Sequence, residues 1–194
     1  MRVLAIYCHP NPESLVAAAR DRAVAGLRTA GHDLRLTDLY EEGFEPAMSA
    51  DERRTHKEPG VAPALQQYAD DLAWAEALVL IYPTWWSGQP AMLKGWIDRL
   101  WVAGVAWEMS DGDRTPRPKL RNLRRIVVVT THGSSKLLNA LEGESGKRTA
   151  TRSIRAMCAR RTRTTWCALY GLDTCTEEKR LEFLDRVEST LARL

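Results

Sequence analysis

Three stretches of this chain gather residue types that could do chemistry, and each directly follows a short apolar run. HPNPESLV (9–16) follows VLAIY, PTWWSGQP (83–90) follows ALVLIY, and THGSSKLLNALEGESG (131–146) follows IVVVTT. The first stretch leads into a helical pattern, so the amides at that helix start point outward and favour an anion. Ser14 there can cap the helix or give its hydroxyl to a phosphate. The second puts Pro83, Thr84, Trp85 and Trp86 together. Paired indoles at that place suit a planar aromatic ligand, which stacks and takes backbone hydrogen bonds. The third offers the hydroxyls of Thr130 and Thr131, the imidazole of His132, and Gly133, whose lack of a side chain allows close backbone approach. Four of the seven tryptophans lie between residues 82 and 101. Trp96 and Trp101 fall inside a helical pattern and read as core or as a subunit interface, where Trp is also enriched.

Several chemistries are excluded by what is missing. Neither G-x-G-x-x-G nor G-x-x-x-x-G-K-[ST] occurs, so the usual dinucleotide and triphosphate fingerprints are absent. No G-x-S-x-G follows a strand, which argues against a Ser-His-Asp hydrolase. Tyr7-Cys8-His9 stands where a phosphorelay receiver would carry an acidic pair. His9, His32, His56 and His132 form no H-x-x-x-H pair, and Cys8, Cys158, Cys167 and Cys175 have no zinc spacing, so no metal is expected. The basic run RPKLRNLRR (117–125) reads first as a solvated approach to the fourth strand, with help in binding a phosphate as the lesser alternative.

The elements that must position these loops alternate strand and helix. Strands are expected at 3–7, 34–38, 77–82, 126–131 and 164–169. Helices are expected over 14–30, 63–76, 89–102, 147–159 and 176–194, with a long surface excursion at 41–60. Near-continuous apolar strands separated by helices imply a parallel sheet covered on both faces. Right-handed crossovers leave a five-stranded, doubly wound α/β sandwich as the chief topology. In such a sheet the ligand sits outside the carboxyl ends of the strands, which is where the three loops emerge.

The totals agree. The chain has 194 residues, enough for one domain with its own core. With 44% hydrophobic and 27% charged residues, it reads as an ordinary globular protein. A net charge of +3 does not mark nucleic acid or an anionic membrane as the main partner. No run approaches the roughly 18 apolar residues that a spanning helix needs. With no signal-peptide pattern at MRVLAIYCH, reduced thiols in a cytoplasmic protein is the expectation.

Three segments carry a resemblance, in order: HPNPESL, DLYEEGFEP (38–46), and YPTWWSGQPAMLKGWIDRLW with VAGVAWE (82–108). The chain resembles the flavodoxin-like NAD(P)H:quinone oxidoreductases from residue 1 to about 146. The resemblance implies a flavodoxin-like three-layer sandwich with FAD or FMN at the carboxyl edge. FAD is favoured by the DLY-x-x-x-F-x-P segment. It implies that Ser14, Leu15 and Val16 cradle phosphate beside His9. Pro83, Thr84, Trp85 and Trp86 would hold the isoalloxazine edge, and Thr130, Thr131, His132 and Gly133 its pyrimidine end. It implies a homodimer with sites at the interface, Trp107 in the roof over a quinone-like acceptor, and Trp96 and Trp101 packing the dimer. NAD(P)H would give hydride to the flavin and leave before the acceptor enters.

Departures bear on that expectation. Leu138 and Ser145 stand where mammalian relatives carry a tyrosine and a histidine beside the pyrimidine carbonyl. The main-chain amides of 132–133 and the His132 side chain are then the candidates for stabilising charge on the reduced ring. Val16 replaces a polar residue, so only its amide is expected to meet phosphate. Two rival readings are a regulatory flavoprotein of a potassium-efflux transporter and a flavodoxin-like electron carrier. Carriers of that kind are strongly acidic, unlike this chain.

Overall fold

A computed structural model describes residues 1–110, 112 and 114–194. Five parallel strands form the central sheet in the order β2-β1-β3-β6-β7. They are β1 (Arg2–Tyr7), β2 (Asp33–Asp38), β3 (Ala77–Pro83), β6 (Arg125–Thr131) and β7 (Arg163–Leu169). A separate two-residue hairpin pairs β4 (Trp107–Glu108) with β5 (Arg117–Pro118). The helices are α1 (Leu15–Thr29), α2 (Ala50–Arg54), α3 (Gln66–Trp74), α4 (Ala91–Leu100), α5 (Lys136–Leu141), α6 (Ser145–Arg148) and α7 (Glu177–Ala192).

Side-chain alternation along the strands feeds two cores. Leu4, Ile6, Leu78, Leu80, Ile126 and Val128 pack toward Leu72 of α3 and Leu93, Trp96 and Leu100 of α4. Val3, Ala5, Val79, Ile81, Val127 and Val129 pack toward Ala19, Ala23 and Leu27 of α1 and Phe183 and Val187 of α7. Every residue of β3 is buried. Each of its Leu, Val and Ile side chains contributes roughly 1.5–3 kcal/mol. The central strand is thus held hardest, and the loop it carries stands on a rigid base. Gly95 has a packing reason: a Cβ there would lie 2.3 Å from the Pro46 carbonyl oxygen.

The differences from expectation have local causes. The excursion at 41–60 is not all surface, since Phe44 is buried, and it contains α2. Ser49 and Glu52 make a reciprocal capping box there, a signal present in the sequence as S-A-D-E. The 131–146 stretch contains α5, capped by the Ser135 side chain. The helix expected over 147–159 is the single turn α6 followed by a π-helical run, Thr149–Ile154. The 63–76 helix starts as a 3-10 turn, Pro63–Leu65, before α3. Trp96 is fully buried, so it packs the core and leaves no face for a partner subunit. No helix of the described residues is long and apolar enough to cross a membrane.

Candidate functional site

The chain passes from β1 to β2 on one side and to β3 on the other, so the strand order reverses between β1 and β3. The three chemistry-bearing loops converge at the carboxyl ends beside that point.

In the first loop Asn11 organises the turn. Its side-chain oxygen accepts from the Glu13 amide at 2.8 Å, and its carbonyl accepts from the Ser14 amide at 3.3 Å. Ser14 caps α1, its hydroxyl oxygen accepting from the Ala17 amide at 3.1 Å. The amides of Leu15 and Val16 have no carbonyl one turn back, so they remain available to an anion. The Val16 side chain is buried, so its amide alone can serve. Beneath this turn the Tyr7 hydroxyl is buried and has no hydrogen-bond partner. Burial raises its pKa, while the nearby Ser14 hydroxyl and Arg20 work the other way. The Arg20 guanidinium lies over the Tyr7 ring at 4.7 Å. A buried, unpartnered phenol beside free helix-start amides fits an anionic group such as a flavin phosphate. His9 Nδ1 accepts from the Asn11 amide at 2.9 Å. The same nitrogen lies 3.1 Å from the Asn11 carbonyl oxygen, so the Asn11 backbone holds the ring in place. Burial holds the His9 pKa below the ordinary imidazole value.

The second loop is a tight turn. Trp85 and Gly88 exchange both backbone hydrogen bonds at 3.1 Å. Between them Trp86 (φ 47°) and Ser87 (φ 61°) are both left-handed, a geometry that Asn-Gly ordinarily fills. For residues with a Cβ each such conformation costs roughly 1–2 kcal/mol. Trp86 is 102% exposed and Trp85 42%. An exposed indole held in a strained turn gains nothing for folding, and such strain clusters at ligand sites. The turn is tied down from behind: the Ser87 hydroxyl donates to Glu142, and the Ser87 carbonyl accepts from the Ser145 hydroxyl and the Gly146 amide. Trp85 faces His9, ring centroids 6.0 Å apart.

The third loop joins the second through side chains. Thr84 Oγ1 lies 2.9 Å from Thr130 Oγ1 and 3.4 Å from His132 Nε2. The Thr84 amide donates to the Thr131 carbonyl at 2.8 Å, across from buried Pro83. The Asn139 amide nitrogen donates to the carbonyls of Ser134 and Ser135, which leaves its oxygen to accept from His132 Nδ1 at 2.7 Å. His132 is therefore protonated on Nδ1 and bare on Nε2. Tyr170 stacks on the ring at 4.4 Å and 15°, and donates its own hydroxyl to Glu144. Burial keeps the His132 pKa below the usual value, and Asn139 and Glu144 oppose that shift.

Two expectations change here. The His132 amide is spent on the Leu169 carbonyl at 2.8 Å, and the side chain presents a lone pair, so neither donates to a ligand in this state. At Gly133 a Cβ would lie 2.7 Å from an Asp173 carboxylate oxygen, so a side chain there would have to displace the Asp173 side chain.

Loops two and three enclose a cleft of about 530 Å³, with Trp85, Trp86, His132, Gly133, Asn139 and Glu142 among its walls. That volume is in the range of small-molecule sites. His9, residues 14–16, Thr130 and Thr131 are outside its lining, His9 meeting it through the Trp85 ring and Thr130 through the Thr84 hydroxyl. Trp107 lies outside that lining, packed against the core that holds α3 and α4, with its Nε1 donating to the Trp101 carbonyl at 3.0 Å. Asn139, Tyr170 and Glu142 are site residues that sequence reasoning did not single out. The usable signal for Tyr170 was its place one residue past the end of β7. Among the described residues no group of three His, Cys, Asp or Glu could hold a metal.

The fold is a doubly wound α/β sandwich with a cleft at the carboxyl edge of its sheet. A family model described as the flavodoxin-like fold matches residues 1–185, and the chain belongs to that family. The match runs past the segment near residue 146 where the motif resemblance weakens. A ribosyldihydronicotinamide dehydrogenase-like protein of Penicillium crustosum is 31% identical over 155 residues, 69% of this chain and 58% of that one. NAD(P)H dehydrogenase [quinone] 1 of Cavia porcellus is 27% identical over 163 residues, 75% of this chain and 58% of its own. The chain thus spans less than two thirds of the length of these curated relatives. The solved structure of Smu.1420 from Streptococcus mutans UA159 superposes over all of both chains with a TM-score of 0.88 at 26% identity.

Proposed function

We propose that the chain is one flavin-binding domain and acts as a flavin-dependent NAD(P)H:quinone oxidoreductase. The observation that carries this reading is Trp86, fully exposed in a strained turn at the mouth of the cleft. Relatives named as NAD(P)H and ribosyldihydronicotinamide dehydrogenases support it.

When bound, the flavin supplies hydride transfer from NAD(P)H to a quinone-like acceptor, the two using one place in turn. The chain binds and orients. Leu15 and Val16 amides, with the Ser14 and Tyr7 hydroxyls, take the phosphate, and the His9 ring lies beside them. The main-chain groups of 83–86 that the turn leaves unused, the Trp86 amide first among them, hold the ring edge, and the indoles of Trp85 and Trp86 exclude water from it. Thr130 and His132 fix the Thr84 hydroxyl, so His132 is a positioning residue whose bare Nε2 accepts. Trp107 of a second copy closes the roof in a homodimer. FAD and FMN both fit the phosphate end of the site described.

Purified protein is mixed with FAD or FMN, desalted, and assayed with NADH or NADPH and menadione. Retained flavin absorbance and parallel double-reciprocal plots are expected, the pattern of ping-pong turnover. Protein that stays colourless with both flavins and shows no turnover overturns the reading.

A further inference from the structure

Two segments have no part in the cleft. Residues 117–125 carry Arg117, Lys119, Arg121, Arg124 and Arg125, and residues 152–163 carry Arg152, Arg155, Arg160, Arg161 and Arg163; neither contains Asp or Glu. The rest of the chain holds 18 of the 28 basic residues against all 25 acidic ones. The modest net charge therefore conceals a concentrated basic region on a net acidic body, and such asymmetry draws anions.

The fold joins the two segments side by side. Arg125 and Arg163 are register partners in β6 and β7. The Leu120 amide donates to the Met157 carbonyl at 3.0 Å, and the Arg163 amide to the Arg124 carbonyl at 3.1 Å. Between them is a hollow of about 620 Å³ lined by Pro118, Arg121, Arg155, Cys158 and Arg160. Among the described residues none of these three arginines has an ion pair. Glu76, whose carbonyl accepts from the Arg124 amide, is paired with Arg2.

Two of the guanidiniums are already oriented. Arg121 donates Nε–H to the Pro118 carbonyl at 3.0 Å, which leaves both Nη groups. Arg155 donates Nε–H to the Thr162 carbonyl at 2.8 Å and one Nη2–H to the Arg160 carbonyl at 3.4 Å. Their remaining N–H groups form forks that match phosphate oxygens. Three cations around one hollow repel each other, and a multiply charged anion relieves that repulsion. We propose that this hollow binds an anion carrying two or more phosphate groups, free in solution or on a lipid headgroup. Seven residues of β6 separate its level from the cleft, about 20 Å at strand rise, so the two sites are distinct. The proposal does not depend on flavin binding.

Calorimetric titration with pyrophosphate tests it, alongside sedimentation with phosphatidylcholine vesicles, plain or containing phosphatidylinositol bisphosphate. The native chain is expected to bind pyrophosphate or the phosphoinositide vesicles, more weakly as salt rises. Which probe binds tighter identifies the source. The double variant Arg121→Gln/Arg160→Gln is expected to lose roughly tenfold or more. Arg160→Gln alone, whose side chain makes no hydrogen bond in the structure, keeps the test valid if the double variant fails to fold. Arg161→Gln, outside the hollow, is expected to change binding less. Absence of binding to both probes, equal binding by Arg160→Gln and the native chain, or binding of a single-stranded oligonucleotide without pyrophosphate overturns the proposal.

Discussion

Trp86 and Trp96 lie ten residues apart in one motif and end in opposite environments. Trp96 is fully buried on α4, 5.7 Å from the Trp101 ring, with its Nε1 unpartnered. Trp86 is fully exposed in a left-handed turn. The first trades an unmet hydrogen bond for apolar burial, so its role is stability. The second makes folding harder and offers a free ring face, which is why we propose it for binding.

The largest effect is expected at the buried indole. Trp96→Ala should cost about 3–5 kcal/mol of unfolding free energy in denaturant titration. A loss below about 1 kcal/mol would show that α4 packs less tightly than described. Trp86→Gly sharpens the contrast by reversing the sign. Glycine accepts a positive φ freely, so this variant should be stabilised by roughly 1 kcal/mol, read as a raised midpoint. Ser14→Ala removes the α1 cap and should cost about 1 kcal/mol, with weaker binding of phosphate-bearing ligands as a second readout.

The smallest effect concerns pH. His132 has a folded pKa below its unfolded value near 6.5 because burial disfavours the cation. Between the two values the unfolded chain binds more protons. The contribution is therefore complete above about pH 6.5 and is lost as pH falls through the window beneath it. His9 and His32 shift the same way. His132→Gln should flatten the acid side of the stability curve by its own share, while an unchanged slope would remove His132 from the titration.

Much of this was legible in the residues. Continuous apolar runs such as ALVLIY gave the buried parallel strands, and the loops that follow them gave the cleft. The 131–146 stretch was less so, because Ser135 as a cap competes with five other glycines and serines that read as loop. The tautomer of His132 was invisible, since it is set by Asn139, seven residues on, and so was the ring's packing against Tyr170, brought in by β7. Gly133 and Gly95 carry no label in the sequence to say whether a ligand or a neighbour needs the space. At Gly95 the Pro46 backbone fills it, and at Gly133 the Asp173 side chain borders it.

The most direct test is the flavin dissociation constant of the native chain set against Trp86→Gly. An indole at residue 86 that walls a redox ring predicts affinity roughly tenfold weaker, or worse, in a variant that is at least as stable. Equal flavin affinity in the two proteins would mean that the exposed, strained tryptophan serves something other than that ring.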